Sequence, residues 1–455
     1  MKLALALLLN AGLLALLLPW LARQWRWAGP GWWRIVFVAG LALRVGVGVG
    51  RSWSPQLDAG FMTSISQMVT AQIQHDPSAA WNILTKAVTV LRIQNGNLSY
   101  HAVYQNMSNT WILIKILAVL NLFTLQVSWL NGVYLSIFAF IGSWQLVRTL
   151  ACVFPATPAG AGVVAFLLWP SVWFWTTGIS KEAVLLGSGA WLTAKVVAAI
   201  YQEDAAATVR WRAGWWLGTA ALALLHFQMR YFFAVPLLGV LAGVALGEAL
   251  QRISHNHSRW VAAGALAAVL GAGAGVAPHL SVAFSVNKFT NQVARVYSFE
   301  AEHSAGRPHV EYSDLRPTGA SIAAHAPAAA LNALVRPWLG ESRQPLYVAA
   351  GLENAALLVL LALAAAAAVR RRAGHLPFAL GLGLAVCCGA LAVLVGLTTA
   401  NFGSLNRYRS ELLPFLLLLL LQNDFAAAGM RFIGMAPGRN SAPADLGKSP
   451  VRPAA

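Results

Sequence analysis

Charged residues and cysteines are scarce in this chain. Only 10% of its 455 residues are Asp, Glu, Lys or Arg, whereas a soluble globular protein averages about 25%. There are three cysteines, and two of them, Cys387 and Cys388, are neighbours inside one apolar run. The composition excludes an ordinary soluble domain. The cysteines provide neither a disulfide framework nor a recognisable set of metal ligands.

Several catalytic motifs are also missing. The sequence has no GxxxxGK[ST] phosphate-binding loop, no GxSxG nucleophile turn and no recognisable Cys-His pair. Nucleotide hydrolysis and acyl-enzyme chemistry therefore have no visible basis. We expect no cofactor. A divalent ion at His303, His309 and Glu311 is the alternative, although their spacing matches no known metal-site pattern.

Long apolar runs make up most of the chain, which is 58% hydrophobic. Runs of about 17–25 residues recur, and each is long enough to cross a bilayer. We expect an all-α, polytopic transmembrane domain over residues 1–425. The Pro-, Gly- and Ala-rich segment 426–455 lacks apolar periodicity and is expected to be a disordered cytoplasmic tail. The net charge of +17 is explained by Arg-rich cytoplasmic segments, so nucleic acid is not an expected partner.

The distribution of Lys and Arg predicts the orientation of the spans. Arg370-Arg371-Arg372 is the strongest cytoplasmic marker. The pattern predicts about eleven spans, among them 158–175 and 215–227, with outer loops at 51–130 and 278–345. The apolar segment Trp111–Trp129 contradicts this orientation if it crosses the membrane, and it contains Lys115. We expect it to be a juxtamembrane or re-entrant helix.

Acidic residues are concentrated on one predicted face. Ten of the 15 fall on or beside the outer side: Asp58, Asp76, Glu182, Glu300, Glu302, Glu311, Asp314, Glu341, Glu353 and Glu411. Five arginines share that side: Arg230, Arg336, Arg343, Arg407 and Arg409. The planar guanidinium matches phosphate geometry, so these arginines indicate an anionic ligand. Structural pairing between the arginines and the acidic residues is the alternative.

This layout resembles the GT-C superfamily of polyprenyl-phosphate-dependent membrane glycosyltransferases. Asp58, in Pro55-Gln56-Leu57-Asp58, follows an early span, where that family has its catalytic aspartate. Trp111–Trp129 occupies the place of a juxtamembrane helix. Glu182, in Ser180-Lys181-Glu182, occupies the place of a second acidic residue in a short outer loop.

The resemblance continues in three later segments. They are Arg336-Pro337-Trp338-Leu339-Gly340-Glu341, Gly351-Leu352-Glu353-Asn354 and Asn401-Phe402-Gly403-Ser404-Leu405-Asn406-Arg407-Tyr408-Arg409. Two family features are missing: an Asp-Glu or Asp-x-Asp doublet near Asp58, and a large soluble domain after the last span.

The resemblance implies sugar transfer at the periplasmic face of a bacterial inner membrane. The donor would be a polyprenyl phosphate or diphosphate sugar, and the acceptor a glycan, lipid or protein. Asp58 and Glu182 would be the catalytic carboxylates. The expected substrate-binding residues are Lys181, Arg230, Arg336, Glu341, Glu353, Asn401, Arg407 and Arg409.

Other interpretations of the same residues stay open. Asp58 precedes the run 59–69 and suits the N-cap of an interfacial helix. A lipid-linked sugar flippase or an oligosaccharide polymerase or ligase would use the same class of substrate. The predicted polar groups lie at one rim and the chain shows no matching halves, which favours an enzyme over a transporter.

Overall fold

The computed structural model describes residues 2–85, 88–94, 97–104, 109–202 and 213–432. The chain divides into two compact units. The first comprises Met1–Gly142, Thr176–Ser188 and Ala220–Tyr231, and the second comprises Ser143–Trp175, Gly189–Thr219 and Phe232–Ala455.

The first half of the chain is helical apart from one hairpin. Its elements are α1 (Lys2–Ala28), α2 (Trp32–Trp53), α3 (Leu57–His75), α4 (Ala80–Thr85), β1 (Val88–Gln94), β2 (Asn97–Tyr104), α5 (Asn109–Thr124), α6 (Ser128–Val153), α7 (Ala159–Val163), α8 (Pro170–Trp175), α9 (Lys181–Tyr201) and α10 (Ala213–Met229). The strands pair antiparallel, and β1 is rich in the β-branched residues that favour strands. The all-helical prediction is confirmed for the described chain apart from this hairpin.

The remaining elements are helices. They are α11 (Tyr231–Ser254), α12 (Arg259–Leu280), α13 (Val286–Glu302), α14 (Gly319–Val335), α15 (Pro345–Val369), α16 (Phe378–Thr398), α17 (Phe402–Arg409), α18 (Leu413–Leu421) and α19 (Asp424–Phe432). The predicted outer loop 278–345 thus contains two helices, α13 and α14. The predicted disordered tail starts too early, because residues 424–432 are helical with a buried apolar face. Residues 433–455 lie outside the described part of the chain.

Among the described residues, eight helices are long and apolar enough to cross a membrane. They are Lys2–Ala28, Trp32–Trp53, Ser128–Val153, Lys181–Tyr201, Tyr231–Ser254, Arg259–His279, Pro345–Val369 and Phe378–Thr398. The bent pair α18 and α19 makes nine if it counts as one span, although its two helices meet at 90°. The chain is therefore a multi-pass membrane protein.

Two further predicted spans, residues 158–175 and 215–227, do not form continuous helices of membrane length. Residues 158–175 are broken into α7, a π-helical segment at Val164–Leu168, and α8. The break falls at Trp169, whose backbone is extended before Pro170, as expected for a residue that precedes proline. The predicted span 215–227 lies in α10, which has 17 residues where a span needs about 20.

In the first unit, α3 packs against α5 through a buried polar contact. The Asn121 side chain donates to Thr70 Oγ1 at 3.1 Å and accepts from Asn131 Nδ2 at 2.7 Å. All three residues are buried. The predicted segment 111–129 is divided here, since α5 has 16 residues and the chain turns before Ser128. That length fits a helix that does not cross the membrane.

Helix packing in the first unit depends on small residues. A Cβ added to Gly142 of α6 would lie 2.0 Å from the Gly187 carbonyl oxygen of α9. The two backbones can approach this closely only because neither residue has a side chain, as is common between membrane helices. This contact fixes the start of α9, which carries the candidate site.

Candidate functional site

The loop formed by residues 176–180 precedes α9 and is held by side chains of α2. Arg44 Nη1 donates to Thr176 Oγ1 at 2.9 Å, and Arg51 Nη1 donates to the Thr177 carbonyl oxygen at 3.0 Å. Ser52 Oγ accepts from the backbone N–H of Ile179 at 3.1 Å. Arg44 is fully buried and faces protein, as expected for an arginine within a span. The loop is therefore fixed at several points before the charged residues begin.

Gly178 lets this loop turn against α2. Its φ is +70°, in the left-handed region, and an added Cβ would lie 2.7 Å from Ser52 Oγ. Glycine satisfies both requirements, since it has no side chain and adopts positive φ readily. The Ser180 hydroxyl then accepts from the Ala183 N–H at 3.1 Å, which satisfies one of the free backbone donors at the start of α9.

Glu182 and Arg230 form a buried ion pair in the first unit. The Arg230 Nη2 donates to Glu182 Oε1 at 2.8 Å, and the side chains are 11% and 0% exposed, respectively. Glu182 lies in the first turn of α9, where the helix dipole favours a negative charge. Burial makes the pair interdependent, because removal of either partner leaves a charge inside the protein.

Lys181 points to the start of another helix in the same unit. Its Nζ donates to Thr110 Oγ1 at 2.9 Å and to Asn109 Oδ1 at 3.2 Å. The adjacent residues Lys181 and Glu182 thus tie α9 to the start of α5 and to Arg230. The structure brings together these three predicted residues of the first unit.

Asp58 is exposed and lies in the first turn of α3. The N-cap position belongs to Gln56, which makes no capping hydrogen bond with its side chain. Asp58 is therefore not the cap residue that the alternative interpretation requires. The preceding Leu57 has a φ of +50° and a side chain that is 92% exposed, an unusual conformation for a bulky L-residue.

In the second unit, Arg409 is the centre of a buried hydrogen-bond cluster. Its Nη1 donates to Asn354 Oδ1 at 2.6 Å, and its Nη2 donates to Asn406 Oδ1 at 2.8 Å. The carbonyl oxygens of Leu334 and Arg336 lie 3.4 Å from Nη1. Burial lowers the pKa of Arg409 to about 10, which leaves it cationic at neutral pH. Arg409 is one of the expected substrate-binding residues, and the described hydrogen bonds of its guanidinium go to protein oxygens.

Two predicted glutamates of the second unit bind protein groups. Glu353 is partly buried, and its Oε1 accepts from the Ser171 N–H at 2.8 Å, in the first turn of α8. Glu341 Oε1 accepts from Arg336 Nε at 2.8 Å, while its Oε2 accepts from the Trp338 N–H at 2.7 Å. The Arg336–Glu341 pair matches the structural alternative considered above, in which the outer charges pair with each other.

Asn401 and Arg407 lie at opposite ends of the short helix α17. Asn401 is the N-cap, and its Oδ1 accepts from the Gly403 N–H at 2.8 Å and the Ser404 N–H at 3.1 Å. The Arg407 guanidinium is partly buried and lies 6.0 Å from the centre of the Tyr408 ring. Arg407 thus packs against an aromatic ring near the C-terminal end of α17.

Sequence reasoning gave no role to Asn354, the main acceptor for Arg409, although this residue ends one of the quoted segments. It also did not single out Lys195, which lies on α9 within an apolar run. A polar side chain inside a hydrophobic run was the available signal in both cases. No group of three or more His, Cys, Asp or Glu side chains that could hold a metal occurs in the described ranges.

A comparison with known protein families, curated proteins and solved structures finds no match to this chain. The resemblance to GT-C transferases consequently depends on the quoted residues alone, and it stays a prediction.

Proposed function

We propose that this membrane protein transfers a sugar from a polyprenyl phosphate or diphosphate donor to an acceptor hydroxyl or amine. The observation that carries the proposal lies in the first unit. An exposed carboxylate, Asp58, begins a helix that is not among the candidate spans, and a rigid charged turn at Lys181–Glu182 begins a candidate span. This is the arrangement that the GT-C resemblance implies.

Asp58 is proposed as the general base. The acceptor oxygen or nitrogen forms a bond to the anomeric carbon, and its proton passes to the Asp58 carboxylate. The bond from the anomeric carbon to the phosphate oxygen breaks, and the polyprenyl phosphate, or the diphosphate from a diphosphate donor, leaves with the electron pair. Leu57 supports this role, because residues in rare backbone conformations tend to cluster at functional sites.

Glu182 is proposed to position Arg230 rather than to react. The buried pair at 2.8 Å leaves Glu182 best placed to fix the Arg230 guanidinium, whose planar fork matches phosphate geometry. Lys181 is already held by Asn109 and Thr110 and would add positive charge near the same loop. In the second unit, we propose separately that Arg407 contacts a lipid phosphate while Arg409 positions α17.

The decisive experiment compares Asp58→Asn with Asp58→Ala. The full-length protein, reconstituted in lipid, would be assayed for release of polyprenyl phosphate from a radiolabelled lipid-linked sugar. If Asp58 is the general base, both variants should release polyprenyl phosphate roughly 10²-fold or more slowly than wild type. Both should also keep the thermal stability of wild type. Lipids from a deletion strain, analysed for accumulated donor, identify the sugar. Full activity of Asp58→Asn would refute the assignment.

A lipid-linked sugar flippase is a second candidate, and the broken segment 158–175 favours it. Transporters often build their sites from interrupted helices, and this segment contains a π-helical stretch and a proline break. A flippase would move the lipid-linked sugar between leaflets without releasing polyprenyl phosphate. Movement without release, unaffected by Asp58→Asn, would select the flippase.

A further inference from the structure

A cavity of about 250 Å³ lies among α6, α9 and α10 in the second unit. Its lining combines four polar side chains with two aromatic rings: Gln145, Thr149, Lys195, Gln202, Trp191 and Trp215. The volume is many times what a single water molecule needs. None of these residues belongs to the site proposed for sugar transfer.

Lys195 gives the cavity a positive charge. Its Nζ lies 4.9 Å from the centre of the Trp215 ring, a cation–π contact. No acidic side chain of the described chain lines the cavity or forms an ion pair with Lys195. A cation in a membrane helix is costly unless a partner neutralises it. This arrangement favours an anionic ligand.

The other polar groups are suited to the oxygens of such a ligand. Within the described ranges, the side chains of Gln145, Thr149 and Gln202 make no hydrogen bond to protein, although each lines the cavity. Amides and a hydroxyl can donate to anionic oxygens. Half-buried polar side chains that converge on a cavity of this size suit a polar occupant.

We propose that this cavity binds a phosphate group, with the Lys195 ammonium as the charge partner and the neighbouring amides and hydroxyl as donors. Trp191 and Trp215 would pack against the carbon atoms next to the phosphate, as tryptophans do at the level of lipid headgroups. The phosphate can belong to an anionic phospholipid or to a free phosphate ester. Both sources share this chemistry, and the experiment distinguishes them.

The test uses the full-length protein and compares Lys195→Gln with a matched control, Lys115→Gln. Lys115 also lies on an apolar helix with its Nζ over a tryptophan ring, 5.6 Å from the centre of Trp111, but it does not line the cavity. Native mass spectrometry would count bound phosphatidylglycerol, with phosphatidylcholine of the same chains as the neutral probe. Thermal shift with inorganic phosphate would test the free anion.

We expect Lys195→Gln to weaken phosphatidylglycerol binding by roughly tenfold or more, as for loss of a charged hydrogen bond. Lys115→Gln should bind as wild type does, and phosphatidylcholine should show no such dependence. A loss confined to inorganic phosphate would assign the cavity to a free phosphate ester. Equal binding of both probes by wild type and Lys195→Gln overturns the proposal, as does an equal loss in Lys115→Gln.

A second variant guards against misfolding of Lys195→Gln. Thr149→Val keeps the cation and the side-chain shape but removes one donor from the cavity. Weaker binding by folded Thr149→Val supports the proposal, and unchanged binding contradicts it when Lys195→Gln does not fold. Glu203 and Asp204 follow Gln202 in the sequence and lie outside the described residues. If either one neutralised Lys195, wild type would show no preference for phosphatidylglycerol over phosphatidylcholine.

Discussion

Arg409 and Lys195 are both cations of the second unit, buried and half-buried respectively, and their surroundings differ. The Arg409 guanidinium donates to two asparagine oxygens at 2.6 and 2.8 Å and has two backbone carbonyls nearby. Lys195 lines a cavity, and its described contact is an aromatic ring. A cation surrounded by protein acceptors stabilises a fold, whereas one beside a polar cavity is suited to a ligand.

Arg409→Met should have the largest effect on stability. It removes the donors from the buried oxygens of Asn354 and Asn406 and from two carbonyls, and an unsatisfied buried acceptor costs about 1–3 kcal/mol. We expect a loss of about 5 kcal/mol or more in the free energy of unfolding. Thermal unfolding in detergent would measure it. A loss below about 1 kcal/mol would contradict the structural role of Arg409.

Glu182→Leu should have the next largest effect. It leaves Arg230 without its carboxylate at an 11% exposed position, and breaking a buried pair costs about 3 kcal/mol or more. The double variant Glu182→Leu/Arg230→Met removes both charges and should recover most of the loss. Equal unfolding temperatures for the single and double variants would show that the pair is not coupled.

Lys195→Met should change stability little, in contrast to Arg409→Met. The substitution removes a cation that has no described counter-ion. The cost of keeping that charge partly out of water disappears, and this gain offsets any packing that is lost. We expect unfolding free energy to stay within about 1 kcal/mol of wild type or to rise. The same measurement as for Arg409 applies. A loss comparable to that of Arg409→Met would erase the distinction between the two cations.

The smallest expected effect is a pH dependence at a partly exposed pair of the second unit. The His325 ring nitrogens donate to the Ser321 carbonyl at 2.8 Å and to Asp314 Oδ1 at 2.9 Å, and these contacts raise the pKa of His325 above 6.5 against the opposing effect of burial. A raised pKa means that the stabilisation is complete below about pH 6.5 and is lost as the pH rises through the folded value.

The measurement is the unfolding temperature of wild type minus that of His325→Asn across this range. The difference should fall as the pH increases and should shrink in high salt, because Asp314 is 70% exposed. A difference that is constant with pH would show that the pair contributes nothing through protonation.

The sequence predicted several local features because each depends on neighbouring residues. The apolar run after Ser180 fixed the start of α9 and placed Lys181 and Glu182 in its first turn. The proline at position 170 marks a place where a helix is readily interrupted, yet the long apolar composition around it predicted an unbroken span. Hydropathy is an average over many residues, so it does not detect that one of them, a proline, lacks the backbone N–H needed for a helical hydrogen bond.

The partners of the charged residues were beyond such reasoning. Glu182 and Arg230 are 48 positions apart, and Arg409 and Asn354 are 55 apart. No periodicity links residues at these separations. The sequence placed arginines and glutamates on one predicted face, which left open whether they would meet each other or a ligand.

The sequence by itself determined that this is a multi-pass helical membrane protein, because apolar runs of membrane length have no other stable arrangement. It also determined where charged residues interrupt those runs. Only the tertiary structure decided that Arg409 is surrounded by protein acceptors and that Lys195 lines a cavity. Whether a cation stabilises the fold or remains accessible to a ligand depends on which acceptors other helices bring to it, and helix packing fixes that.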